Sequence, residues 1–106
     1  MSDTISPQDL KELLSNPALK LLDVRRKDFF KEDPTVIPGA SWKDPVDISI
    51  WSQDLTPQDE VVIYCARGGS ISKSVLGDLR AKSLKVRYVE GGFEGWKEAG
   101  FGTETP

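Results

Sequence analysis

The one cysteine of this chain, Cys65, stands where a nucleophile is useful. It ends the β-branched run Val61-Val62-Ile63-Tyr64, a pattern that predicts a buried strand, and it precedes Ala66-Arg67-Gly68-Gly69-Ser70. In open α/β sheets ligands bind beyond the carboxyl ends of the strands, and a strand, a glycine-bearing loop and a helix in succession commonly build such a site. Gly68 and Gly69 carry no side chain to obstruct a curling loop, so successive N–H groups can converge on one point and form an anion-binding nest at the start of the following helix. Those amides, with Arg67 and Lys73 as the nearest cations in sequence, favour the thiolate, which is the nucleophilic form. Taken singly, each feature has a plainer explanation. A lone cysteine at a strand end is more commonly a small buried apolar residue, a glycine pair a turn, and Arg67 a solvated charge. Their succession favours the chemical reading.

What that chemistry could be is narrowed by what is missing. The chain has no histidine, which excludes Ser-His-Asp and Cys-His catalysis, histidine-ligated zinc and imidazole proton shuttling. Cysteine phosphatases hold the phosphate with an arginine fork six positions after the nucleophile, and that position is Ile71. Attack on a sulfane sulfur needs less machinery. A thiolate displaces a good leaving group such as sulfite and becomes a persulfide with no general base, and a ring of N–H groups can stabilise the negative terminal sulfur.

The surrounding elements must position this cysteine. At 106 residues, the chain is expected to form one domain over residues 1–106. Ser6-Pro7-Gln8-Asp9 is a helix start, with Leu10, Leu13 and Leu14 on one face and Asn16-Pro17 as its stop. Ala18 to Val24 reads as a buried strand. Arg25 to Asp33 reads as a loop or as a short helix turning Phe29 and Phe30 inward, and Val36 to Ala40 as a turn leading into an extended segment near Trp42. Val46 to Trp51 suits either a strand or a loose helix. After the central strand come a helix over Ser72 to Lys82, a strand over Leu84 to Val89, a Gly91-Gly92 turn and a short helix from Phe93 to Ala99, ended by Gly100. Strands alternating with helices at crossover lengths predict an α/β domain with a mainly parallel sheet and helices on both faces.

The net charge of −3, from 17 acidic and 14 basic residues, gives no bulk attraction to nucleic acid or to an anionic membrane, so neither is expected as a partner. No basic region followed by an apolar run opens the chain, and a cytoplasmic location, where a lone thiol stays reduced, is the expectation. The basic run Arg80, Lys82, Lys85 and Arg87 reads as a solvated face or as a dock for an acidic partner.

Leu21-Leu22-Asp23-Val24-Arg25, Ile37-Pro38-Gly39-Ala40, Val61-Val62-Ile63-Tyr64-Cys65 with its six-residue loop, and Tyr88-Val89-Glu90-Gly91-Gly92-Phe93 with Trp96 occur in one order and spacing. In these segments the chain resembles a single-domain rhodanese, or rhodanese-like sulfurtransferase. The resemblance implies a five-stranded, mainly parallel sheet flanked by helices. It also implies a reaction in which Cys65 takes sulfur from thiosulfate or another donor and passes it to a thiophilic acceptor such as cyanide or a thiol. On this resemblance Cys65 is the nucleophile and Ala66, Arg67, Gly68, Gly69 and Ser70 form the loop that cradles the persulfide. Many members carry arginine or threonine where Ser70 stands, which leaves Arg67 the only cation of the loop. The loop length fits sulfur transfer better than phosphatase or arsenate-reducing relatives. Asp23 and Arg25 read first as supports for neighbouring loops, with Arg25 also a candidate for substrate contact. Neither metal nor organic cofactor is implied. The expected partners are a small anionic sulfur donor and a protein sulfur donor or acceptor. The alternatives are a catalytically idle binding or regulatory module and a protein-persulfide carrier.

Overall fold

A computed structural model describes residues 3–106. Five strands form one sheet: β1 (Thr4–Ile5), β2 (Leu19–Asp23), β3 (Ser41–Trp42), β4 (Glu60–Tyr64) and β5 (Val86–Val89). The order is β1-β5-β4-β2-β3 and every pairing is parallel, as the alternation of strands and helices predicts. The helices are α1 (Pro7–Leu13), α2 (Lys27–Glu32), α3 (Ile48–Trp51), α4 (Ser70–Arg80) and α5 (Gly92–Glu98). Short 3₁₀ turns over Pro45–Asp47 and Ser52–Asp54 flank α3.

Strand alternation divides the core in two. From β4, Val61 and Ile63 face the cluster that holds Trp51 and the α4 residues Val75, Leu76 and Leu79; Val62 and Tyr64 face Leu10 of α1 and Phe93 and Trp96 of α5. The sheet is thus covered on both faces. β4 lies at its centre, paired with β2 from Leu19↔Glu60 to Asp23↔Tyr64 and with β5 from Val61↔Val86 to Ile63↔Tyr88. Whatever follows Tyr64 therefore sits above the middle of the sheet. Helix α1 begins as its sequence predicts, with Pro7 in the first turn and the Ser6 hydroxyl accepting from Asp9 N at 3.1 Å.

Several boundaries differ from the sequence expectation. Helix α4 starts at Ser70, ahead of the expected Ser72, because the chain turns helical as soon as it leaves Gly69. β5 is confined to Val86–Val89. The ambiguous stretch Val46–Trp51 is a 3₁₀ turn running into α3; it buries Trp51, whose indole N–H donates to Asp44 O at 2.8 Å, and leaves Val46 and Ile50 exposed. Helix α2 forms but buries none of its residues. Phe30 stacks on Trp42 with centroids 4.6 Å apart, whereas Phe29 points outward and is 48% exposed. The basic run is partly paired, Arg80 with Asp3 and Arg87 with Glu60. No helix among the described residues is long and apolar enough to cross a membrane.

Candidate active site

Cys65 follows β4 directly, in register with Val61 and Ile63, so its side chain falls on the α4 side of the sheet, where it is free of disulfide and 6% exposed. The loop from Cys65 to Gly69 is tied from below by the start of α5. Phe93 N donates to Cys65 O at 2.8 Å and Glu94 N donates to Ala66 O at 3.0 Å. The Cys65 and Ala66 carbonyls are thereby committed to α5. The backbone N–H groups from Ala66 to Ser72, by contrast, donate to no acceptor among the described residues, and no side chain caps α4. A run of amides left over at a helix start is the arrangement that binds an anion.

The glycines that make this possible are not the pair expected from the sequence. Gly68 has φ +70°, and a Cβ there would lie 3.1 Å from Gly91 N. Gly69 has a φ of −91°, and nothing among the described residues lies within 4 Å of an added Cβ. The tight position is Gly92, at φ +60°, where a Cβ would lie 2.4 Å from Cys65 O, 2.6 Å from Gly68 N and 2.8 Å from Arg67 N. The Gly91-Gly92 turn is the floor of the cysteine loop, more than a link between β5 and α5.

A cavity of about 440 Å³ opens at Cys65. Of the residues singled out from sequence, Ala66, Arg67, Gly69, Ser70 and Arg25 line it with the cysteine; Gly68 is turned toward Gly91 and Gly92 instead. Arg26, Phe29 and Ile71 complete the wall. Phe29, exposed on α2, stands on its rim. Trp42 does not line it; its indole N–H donates to Arg25 O at 2.9 Å. Arg26 went unnoticed in the sequence because a charge beside a helix start has an ordinary use, and Ile71 stood out there only as the residue in the place of a phosphatase arginine, not as part of a wall.

Arg25 reaches the cavity wall with its guanidinium heavily committed. Nε donates to Asp23 Oδ2 at 2.9 Å, Nη1 to Asp33 O at 3.0 Å and Nη2 to Thr35 O at 2.7 Å, and Nη2 lies 2.7 Å from Asp23 Oδ2. The charge also lies 4.3 Å from the centroid of Phe93. Arg25 therefore ties the end of β2 to the segment after α2 and to α5. Asp23, fully buried, accepts from Arg25 N at 2.9 Å, the cap on a backbone amide that an aspartate at a strand end predicts. Burial pushes the Asp23 carboxyl up from its ordinary range, while the hydrogen bonds and charge of Arg25 hold it down. Burial likewise pushes the Tyr64 hydroxyl up, with the Asp23 charge adding to the effect; that oxygen accepts from Ile37 N at 3.1 Å.

Comparison with known proteins shows the fold and the family. Residues 6–99 match the family model for the rhodanese-like domain. The chain is 31% identical to the thiosulfate sulfurtransferase GlpE of Tolumonas auensis over 94 residues, 88% of this chain and 86% of that protein. Among solved structures, a full-length protein from Lactobacillus plantarum superposes with a TM-score of 0.87 at 24% identity, covering 98% of this chain and 88% of that one. A rhodanese-related protein from Thermoplasma volcanium gives 0.83 at 23% identity, covering 99% and 100%. A rhodanese-like domain protein from Staphylococcus aureus gives 0.81 at 25% identity and covers 99% of each chain. With the fold, the order of motifs and the family model in accord, the chain belongs to the rhodanese-like domain family.

Proposed function

We propose that this protein is a sulfurtransferase that carries sulfane sulfur as a persulfide on Cys65. The observation that carries the reading is the pairing of a cysteine at the mouth of a cavity with the uncommitted N–H groups from Ala66 to Ser72 around it. With thiosulfate as donor, the Cys65 thiolate attacks the outer sulfur, the S–S bond of the donor breaks and sulfite leaves with the electron pair. The product is a Cys65 persulfide anion whose negative terminal sulfur the amides can solvate. A cyanide or thiolate acceptor then attacks that terminal sulfur and regenerates the Cys65 thiolate. No proton transfer is obligatory in either half, which suits a chain without histidine. Arg67, on the cavity wall, supplies the positive charge of the loop, and Ser70 offers a hydroxyl donor. Arg25 is the positioning residue, since its donors hold Asp23, Asp33 and Thr35 around the site.

The name of the Tolumonas relative supports thiosulfate as one donor for this chain. Replacing Cys65 with serine tests the reading. The exchange barely changes volume, so Cys65→Ser should unfold at the wild-type denaturant concentration and form no thiocyanate from thiosulfate and cyanide. Retained turnover in that variant would remove Cys65 as the carrier.

A further inference from the structure

Arg67 borders two hollows. One is the cavity at Cys65. The other, of about 320 Å³, lies on the α5 side of the cysteine loop and is walled by Arg67, Gly91, Glu94, Gly95 and Glu98. The backbone fixes Arg67 at this boundary: Glu94 N donates to Ala66 O at 3.0 Å, and a Cβ at Gly92 would lie 2.8 Å from Arg67 N. The Arg67 side chain, by contrast, is exposed and makes no hydrogen bond or ion pair among the described residues. Glu94 and Glu98 stand one turn apart on the same face of α5, a spacing at which like charges repel and a cation beside them relieves the repulsion. Glu94 lies 3.3 Å from Lys97 Nζ, whereas Glu98 has no ion-pair partner among the described residues. Gly91 and Gly95, the other wall residues, have no side chains to fill the space. A guanidinium on a flexible stem thus has two seats that compete for its charge, an anion in the amide cradle on one side and two carboxylates on the other.

Resting on the sulfurtransferase reading, we propose that Glu94 and Glu98 are positioning residues that act through Arg67. With the cradle empty they draw its guanidinium toward α5, and an anion at Cys65 must draw it back. The charge of the loop is then available to a bound anion without being fixed on it. Thiosulfate is held less tightly, and sulfite leaves more readily, than with a cation locked over Cys65.

The experiment reads anion binding without turnover, as protection of Cys65 from iodoacetamide by sulfate, a non-reacting anion of the charge and shape of thiosulfate, at constant low ionic strength. The variants are Arg67→Met, the double substitution Glu94→Gln with Glu98→Gln, and all three together. Both glutamates are exposed. The two glutamines should lower the half-protecting sulfate concentration about threefold, the size expected of exposed charge pairs, and Arg67→Met should raise it about threefold. In the Arg67→Met chain the glutamines should have no effect, because the cation they act through is gone. KM for thiosulfate should follow the same pattern, with kcat for loading moving less. A gain from the glutamines that persists in the Arg67→Met chain would overturn the proposal, since the carboxylates would then act on the anion directly. No gain with Arg67 present, or no protection of wild type by sulfate, would overturn it too. If the sulfate pattern holds and thiosulfate loads none of the chains, it is the sulfurtransferase reading that fails.

Discussion

Gly92 is the position where the architecture of the cysteine loop can be tested with one methyl group. A Cβ there meets three backbone atoms, and the closest contact, 2.4 Å to Cys65 O, falls 1.0 Å short of the 3.4 Å at which ordinary contact begins. No flexible side chain can yield, so the loop itself must move by about that amount. Displacement of a reacting group by about 1 Å costs about a hundredfold in rate, and Gly92→Ala should slow Cys65 loading from thiosulfate accordingly. The same methyl group adds the cost of a left-handed φ and of overpacking, together about 2–5 kcal/mol in urea unfolding. Gly100→Ala separates the two effects: φ is +86° there and nothing among the described residues lies within 4 Å of an added Cβ, so it should cost only about 1–2 kcal/mol and leave the loading rate unchanged. The reasoning is refuted if Gly92→Ala loads at the wild-type rate and loses no more stability than Gly100→Ala.

Arg25→Met should destabilise the protein by about 3–5 kcal/mol at neutral pH, because it leaves the Asp23 carboxylate buried without its partner. With the lowering influence of Arg25 removed, the upward push of burial, the largest influence, is opposed only by the Tyr64 hydroxyl, so Asp23 has a folded pKa above its unfolded value. Its contribution is then fully present below the ordinary carboxylate range and lost as pH rises through the folded pKa. The deficit relative to wild type should accordingly shrink when urea unfolding is repeated near pH 4, and a deficit that grows on acidification would contradict this account. Ser83 closes α4 at φ +64°, a conformation costly for any residue with a Cβ, and it is exposed. Ser83→Gly should raise stability by about 0.5–1 kcal/mol with no change in loading rate, and a loss of stability in thermal or urea unfolding would count against it.

The strands and helices that carry the site were legible because their signals are local. The β-branched run before Cys65, the leucine spacing of α1 and the Val75, Leu76, Leu79 face of α4 each satisfy a period that only one element type buries. Less legible was whatever depends on the approach of distant segments. Gly91-Gly92 reads as a turn until the fold brings it under Cys65, some 27 positions away in sequence. Gly69 looks as necessary as Gly68, yet only the latter takes a positive φ against another backbone. The two-residue β1 is too short for any pattern, and is held by Tyr88 N donating to Asp3 O and Glu90 N donating to Ile5 O. Phe29 was read as a residue that could turn inward, as aromatic rings commonly do. It instead stands on a helix with no buried face, where it borders the cavity at Cys65.

The central claim is that Cys65 holds a sulfur atom in the course of turnover. Its most direct test is the intact mass of the protein before thiosulfate, after it, and after subsequent cyanide, with thiocyanate determined in the same sample. The account predicts a gain of one sulfur atom on Cys65, its complete removal by cyanide, and one equivalent of thiocyanate. No mass gain with thiosulfate or with an organic persulfide, while Cys65 still reacts with an alkylating agent, would contradict it.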